Sequence, residues 1–149
     1  RLGDALGRKA TSEAFGDKFL VKFANGETIT GASVAEADTY AVFFNTNAIG
    51  TNNSELGGNL AKMAIFTLSE SERVPSYVLF MNEGVKLPAG DEPQIIENLN
   101  TLIEKGTKVL VCGTCLNFYG IKDDLKVGTV SNMYDILGAM QEVSKVIKL

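Results

Sequence analysis

The amino-acid sequence predicts an α/β fold: a three-layer α/β/α sandwich around a mostly parallel sheet, preceded by a short N-terminal extension. Short continuous apolar runs, typical of strands buried on both faces, recur along the chain from Tyr40 onward. Between them lie longer segments with apolar residues at helical spacing, and strands that alternate with such helices form parallel units with right-handed crossovers. With 149 residues, of which 45% are hydrophobic, the chain can bury a substantial core.

The first predicted strand is Ala41–Phe44, and polar residues follow it at once. Asn52, with Glu55 three residues later, is typical of a helix N-terminus. The helix that follows has an apolar stripe that we expect to face the core, made of Leu56, Leu60, Met63, Ala64 and Leu68.

The second predicted strand is Tyr77–Met81, which is also continuously apolar. A second helix starts after Pro93, and Gly106 is placed to end it. Its predicted core face consists of Ile95, Ile96, Leu99, Leu102 and Ile103.

The third predicted strand, Lys108–Val111, leads directly into Cys112-Gly113-Thr114-Cys115. Leu116–Tyr119 predicts one helical turn, closed by Gly120. These elements place the two cysteines where a buried strand gives way to a helix.

Residues 127–149 predict a strand, a helix and a final strand. Val127–Val130 is a short strand, and either Ser131 or Asn132 is suited to cap the helix that follows. That helix has an apolar face of Ile136, Leu137 and Met140. Lys145–Leu149 is predicted to be the final strand.

The first 39 residues have a different pattern. Leu2–Ala14 predicts a short, weak helix, and Lys18–Phe23 alternates and runs into Asn25-Gly26, a strong hairpin signal. Gly31–Asp38 is small and polar and reads as a connection. We therefore divide the chain into residues 1–39, an N-terminal extension or the remnant of a preceding domain, and residues 40–149, the α/β domain.

Composition excludes several function classes. The chain has no histidine, which excludes a Ser-His-Asp triad, a Cys-His pair and a histidine-ligated metal within one chain. Two cysteines cannot form a closed four-thiolate zinc site, so we expect neither a metal nor a cofactor. A net charge of −4 without a basic cluster argues against nucleic-acid binding. No apolar run approaches the roughly 20 residues of a membrane span, and with no secretory signal visible we expect a cytoplasmic protein.

The motif Cys112-Gly113-Thr114-Cys115 is the only constellation suited to covalent chemistry. Backbone N–H groups at the start of a helix favour the thiolate and lower the pKa of a cysteine placed there, and Lys108 or Lys122 could assist. We predict Cys112 and Cys115 as catalytic residues. Three other interpretations remain open: cysteines that only pack in the core, a metal half-site shared between subunits, and a thioredoxin-like redox pair.

Further candidates follow from the rule that ligands bind at the carboxyl ends of parallel strands. Asparagine at such ends more often caps a helix or forms a turn, and this is the alternative to ligand binding for each asparagine among the candidates. The predicted substrate-binding residues are Asn82, Glu83, Gly113, Thr114, Asn117 and Asn132.

The segment Val109–Gly120, with its two cysteines, resembles the cysteine loop of the DsrE-like sulfur-relay family. Val127–Asp135 and Phe80–Leu87 extend the resemblance to the C-terminal domain of YedF-type proteins, which are described as sulfurtransferase-like and linked to selenium metabolism. The resemblance implies a DsrE-like fold, a homo-oligomer, and a cysteine that carries sulfur as a persulfide. Judged by its distance to Gly120, Cys112 matches the carrier position.

YedF-type proteins usually begin with a TusA-like domain that has a Cys-Pro motif, and no proline follows a cysteine here. The Cys-Pro site is thus absent from this sequence. The resemblance implies that separate sulfur-donor and sulfur-acceptor proteins, including TusA-like ones, are the partners. It predicts a sulfur or selenium carrier with sulfurtransferase-like chemistry. The alternatives are a non-enzymatic protein that binds a small ligand or assembles into an oligomer, and a disulfide reductase that uses the two cysteines.

Overall fold

The computed structural model describes residues 38–149, in which five strands form a single sheet with the order β4-β3-β2-β1-β5. The strands are β1 Tyr40–Phe44, β2 Tyr77–Phe80, β3 Lys108–Cys112, β4 Thr129–Ser131 and β5 Lys145–Lys148. Every neighbouring pair is parallel, so the predicted parallel α/β fold is confirmed. The helix, hairpin and connection predicted before Asp38 lie outside the described residues.

Four helices connect these strands: α1 Ser54–Glu70, α2 Pro93–Glu104, α3 Gly113–Tyr119 and α4 Met133–Glu142. Two short helical turns, Asn82–Lys86 and Lys122–Asp124, complete the connections. From β1 to β4 the chain moves stepwise towards one edge of the sheet, and α4 returns it to the opposite edge. Right-handed crossovers therefore place α1 and α2, which pack on each other, on one face and α4 on the other. None of the helices in this part of the chain is long and apolar enough to cross a membrane.

The core lies on both faces of the three central strands, which explains their continuous apolar runs. Phe44 and Phe80, which are both fully buried, stack with ring centroids 5.3 Å apart. The register pairs Phe44 with Phe80 and Phe80 with Val111. The residues that follow these three therefore emerge at one edge of the sheet, where the cysteine motif begins.

The predicted core stripe of α1 is only partly confirmed: Ala64 and Leu68 pack against the core, but Leu56, Leu60 and Met63 do not. The helix turns Gly57, Ala61, Ile65 and Ser69 inward, whereas Leu56 and Met63 are 58% and 60% exposed. The reason is the close approach of the preceding loop: a Cβ at Gly57 would lie 2.7 Å from the Ile49 carbonyl oxygen. No side chain fits at this position without displacing the loop, so the start of the helix places Gly57 inward and Leu56 and Leu60 outward.

Helix ends agree with the sequence more closely. Asn53, one residue after the predicted Asn52, caps α1 by accepting a hydrogen bond from the Leu56 N–H at 2.8 Å. Asn132, one of the two predicted candidates, caps α4, and Gly106 and Gly120 adopt positive φ angles after α2 and α3. Helix α3 is longer than the single predicted turn because it starts directly after Cys112.

The remaining apolar predictions are mostly confirmed. On α2, Ile95, Leu99 and Leu102 are buried, whereas Ile103 is exposed. On α4, Ile136 is fully buried, while Leu137 is exposed because the helix buries Ala139 instead. The final strand, β5, lies at the edge of the sheet, and its four residues are all exposed.

Candidate functional site

A cavity of about 400 Å³ opens at the carboxyl edge of the sheet, beside the cysteine motif. Its walls come from the ends of β1 and β2, the start of the Asn82–Lys86 turn, and one side of α3. The residues that line it are Phe43, Asn45, Met81, Asn82, Thr114, Cys115, Phe118 and Tyr119. The cavity therefore lies at the edge of the sheet where the sequence analysis places the candidate site.

The two cysteines occupy different environments, and both are free thiols. Cys112 ends β3 and is the N-cap residue of α3; it is only 4% exposed. Cys115 lies on the first turn of α3, is half-buried and forms part of the cavity wall. A reagent in the cavity therefore meets Cys115 before the buried Cys112.

Asn82 supplies the polar contact to the Cys115 sulfur. Its backbone N–H donates to Cys115 Sγ at 3.1 Å, and its side-chain Oδ1 accepts from the Tyr119 hydroxyl at 3.1 Å. Asn82 has φ 52°, a left-handed conformation that asparagine tolerates better than most residues. The Tyr119 contact and the turn together hold this N–H towards the sulfur.

The thiol of Cys115 is harder to ionise than an ordinary cysteine. Burial raises its pKa, and the hydrogen bond with Cys112 raises that pKa further. The Asn82 N–H acts in the opposite direction because it stabilises the thiolate. The net effect is a raised pKa, so at neutral pH the thiol form predominates.

Lys86, which sequence reasoning did not select, contacts a wall residue through its cationic side chain. Its ammonium nitrogen lies 4.5 Å from the centre of the Tyr119 ring and 3.4 Å from Glu83 Oε2. Lys108 is at the opposite end of β3, roughly 13 Å of strand from Cys112, and is too distant to assist. Lys122 lies on the short turn after α3.

Only some of the predicted substrate-binding residues meet at the cavity. Asn82 and Thr114 line it, but the exposed Glu83 pairs with Lys86 beside it. Gly113 is buried against β4, where a Cβ would lie 3.0 Å from Val130 Cγ1. Asn117 is exposed on α3 and is not a wall residue.

Asn132 uses its side chain within α4, where it accepts a hydrogen bond from the Asp135 N–H at 2.9 Å. It is exposed and does not line the cavity. In residues 38–149 no three acidic or cysteine side chains are grouped as metal ligands.

Sequence reasoning missed the apolar wall of the cavity. Phe43 and Met81 point to the same side of adjacent strands, and Phe118 follows the cysteines on α3. The signal was present in the period-two alternation of the strands, since Phe43 and Leu79 are register partners and Met81 is two residues beyond Leu79. Phe118 gave no such signal, because it is 82% exposed and therefore belongs to no buried apolar pattern that the sequence could reveal.

Comparison with protein families gives a match to the DsrE/DsrF-like family over residues 38–149. The chain belongs to the DsrE/DsrF-like family. Members of this family are associated with sulfur relay. A comparison with curated proteins gives no match.

Two solved structures share the DsrE-like fold. YchN of E. coli aligns with a TM-score of 0.52 and 17% identity, covering 74% of this chain and 99% of YchN. BT1422 of Bacteroides thetaiotaomicron, described as a conserved protein of unknown function, aligns with a TM-score of 0.55 and 17% identity, covering 76% and 97% of the two chains. At this identity the two neighbours support the fold alone.

Proposed function

We propose that this DsrE-like protein is a sulfur carrier with sulfurtransferase-like chemistry, in which Cys115 takes up a sulfane sulfur and Cys112 is the second thiol. The observation that carries the proposal is the position of Cys115 Sγ on the cavity wall, in contact with the Asn82 N–H and with Cys112. The resemblance assigns the carried sulfur to Cys112. The burial of Cys112 favours Cys115 as the thiol that meets the donor.

The loading step is a thiol–persulfide exchange. The Cys115 thiolate attacks the outer sulfur of a donor persulfide, R–S–SH. The donor S–S bond breaks, R–S⁻ leaves, and Cys115 holds the sulfur as Cys–S–SH. An acceptor thiolate then attacks that outer sulfur and releases the Cys115 thiolate, so the cycle has no net oxidation.

Cys112 offers the bound sulfur a second outcome. Its thiolate can attack the inner sulfur of the Cys115 persulfide, which forms a Cys112–Cys115 disulfide and releases HS⁻. A thiol reductant must then reduce the disulfide before another cycle. The contact between the two thiols supports this step and equally supports the alternative function, disulfide reduction.

Intact mass spectrometry tests the proposal. The protein is incubated with a persulfide donor, and wild type is compared with Cys115→Ser and Cys112→Ser. We expect Cys112→Ser to gain and keep the mass of one sulfur atom and Cys115→Ser to gain none. Wild type should gain the same mass and lose it as the Cys112–Cys115 disulfide forms. An adduct that depends on Cys112 instead would overturn the assignment to Cys115.

Absence of an adduct on every form would overturn sulfur carriage altogether. Turnover of a generic disulfide substrate without any adduct would then favour the reductase. Neither activity, with both thiols reactive, would favour a protein that only binds a ligand or assembles. The resemblance to YedF-type proteins also raises selenium as the element carried. Parallel incubation with a selenium donor shows whether the protein takes up sulfur, selenium or both.

We also propose that the protein is a homo-oligomer and that its partners are a sulfur-donor and a sulfur-acceptor protein, TusA-like proteins among them. The partners follow from the resemblance. The outward face of α1 supports the oligomer because it presents an uncharged apolar stripe of Leu56, Leu60, Met63 and Phe66. We expect Met63→Glu to reduce the mass measured by light scattering, with Glu55→Gln on the same helix as the control.

A further inference from the structure

The walls of the cavity beside Cys115 are uncharged. Among the described residues that line it, four are aromatic or a thioether, and the polar ones are neutral amides, a hydroxyl and the thiol. The apolar four are Phe43, Met81, Phe118 and Tyr119. A ligand that enters the cavity therefore meets carbon and neutral hydrogen-bonding groups.

The nearby turn does not supply a spare positive charge. Lys86 pairs with Glu83 at 3.4 Å, its ammonium nitrogen lies 4.5 Å from the centre of the Tyr119 ring, and it is not a wall residue. A carboxylate that entered the cavity would lose water without gaining an ionic partner from the wall. Removing a charge from water without a partner is costly, whereas an apolar group gains from the same transfer.

The size of the cavity indicates that more than a sulfur atom enters. Its volume of about 400 Å³ is within the range of small-molecule pockets. At its rim the Phe118 ring is 82% exposed and packs edge-on against Tyr119, with centroids 5.2 Å apart. An exposed aromatic ring at the rim is suited to cover the organic part of a ligand.

We infer that the donor that loads Cys115 is an organic persulfide, R–S–SH, whose R group is uncharged and partly apolar. The inference rests on the proposed function and specifies its substrate class. The exchange is the one described above: the outer sulfur moves to Cys115 and R–S⁻ leaves. Such an R group belongs either to a small molecule or to an uncharged, cysteine-containing segment of a protein.

A pair of donors that differ by one charge tests the inference. Loading rates are measured by intact mass with two donors. The first is the persulfide of N-acetylcysteine, whose R group carries a carboxylate, and the second is the persulfide of its methyl ester, whose R group is uncharged. The same two donors react with a short peptide that contains the Cys112–Cys115 motif, which corrects for their intrinsic reactivity. We expect the ester-to-acid rate ratio of the protein to exceed that of the peptide by about tenfold or more, because the wall leaves a carboxylate unpaired.

A second pair of reagents tests the cavity without sulfur transfer. In the Cys112→Ser variant, Cys115 is the remaining thiol and is alkylated by neutral iodoacetamide or by anionic iodoacetate. We expect the same preference for the neutral reagent, again relative to the peptide. If Cys115 prefers iodoacetamide over iodoacetate but neither persulfide loads it, the proposed function is refuted. The preference of the cavity for neutral groups would still be established.

Two lysine variants provide the matched comparison. Phe118→Lys adds an ammonium group at the rim and should bring the ester-to-acid ratio close to that of the peptide. Tyr134→Lys adds the same charge on α4, at a ring that is 86% exposed and not on the wall, and should leave the ratio unchanged. Circular dichroism verifies that both variants are folded, as their exposure predicts.

A third donor, the persulfide of an uncharged cysteine peptide amide, distinguishes the two sources. Loading by this peptide faster than by the methyl ester indicates a protein segment, and slower loading indicates a small molecule. Equal ester-to-acid ratios for the protein and the free motif peptide would overturn the inference while sulfur loading itself remained intact.

Discussion

Gly84 fixes the turn that brings the Asn82 N–H to Cys115, and Gly84→Ala tests that arrangement. The glycine is buried where the Asn82–Lys86 turn crosses the end of β1. A Cβ at this position would lie 2.2 Å from the Phe44 carbonyl oxygen and 2.8 Å from its carbonyl carbon. Real Cβ contacts are no shorter than 3.0 Å, so the turn or the strand must move by nearly an ångström.

The obstacle is backbone rather than a flexible side chain. Phe44 is fully buried and its carbonyl oxygen accepts a hydrogen bond from the Met81 N–H at 3.1 Å, so the strand end resists displacement. We expect Gly84→Ala to cost about 3 kcal/mol, at the upper end of overpacking, and to lower Tm by roughly 10 °C. Urea and thermal unfolding followed by circular dichroism measure both quantities.

Gly58→Ala is the matched control. This glycine lies within α1, and nothing is within 4 Å of a Cβ added there. The same substitution should therefore stabilise the protein by about 0.5–1 kcal/mol, because alanine favours the helix. Gly84→Ala should also slow sulfur loading, since a displaced turn withdraws the Asn82 N–H from Cys115 Sγ. Unchanged stability in Gly84→Ala would refute the reasoning about the turn.

Three further predictions concern single contacts. Because the pKa of Cys115 is raised, the rate of its alkylation by iodoacetamide should increase at a higher pH than the rate for an unfolded cysteine. Cys112→Ala removes one cause of the raised pKa and should shift this pH profile back towards neutral. A profile that does not shift would contradict the role of Cys112. Stability linked to the Cys115 proton is present below the ordinary cysteine pKa and is lost as pH rises through the higher folded value. Asn132→Ala should cost about 1 kcal/mol in urea unfolding, with Asn132→Ser nearly neutral, because only alanine removes the cap. Thr107→Val should cost about 1–2 kcal/mol, since it leaves the Pro75 carbonyl without the buried hydroxyl that donates to it at 2.7 Å; an equal Tm would count against that role.

The sheet could be predicted from the sequence because its signal is local. A strand buried on both faces must be apolar throughout, so β1, β2 and β3 stand out from the chain around them. Helix caps are equally local, which is why the end of α3 at Gly120 was predicted and the cap of α4 was narrowed to Ser131 or Asn132, of which the structure uses Asn132.

Helix orientation could not be predicted in the same way. The apolar stripe of α1 has helical spacing whether it faces the core or solvent, and the close approach of the loop at Ile49, which places Gly57 inside, is not visible in the sequence. The same limit applies to the site. The sequence places both cysteines at the strand end, but it does not indicate that Cys112 is buried and Cys115 faces the cavity, since that depends on how α3 is rotated.

The two edges of the sheet have a consequence for how copies of this chain can meet. An exposed edge strand offers unpaired backbone groups to which another chain can add, and lysines or a very short strand discourage such addition. Within the described residues, β5 begins and ends with Lys145 and Lys148, and β4 has only three residues. Strand-to-strand joining is therefore disfavoured at both edges, which protects the native state from amyloid-like stacking.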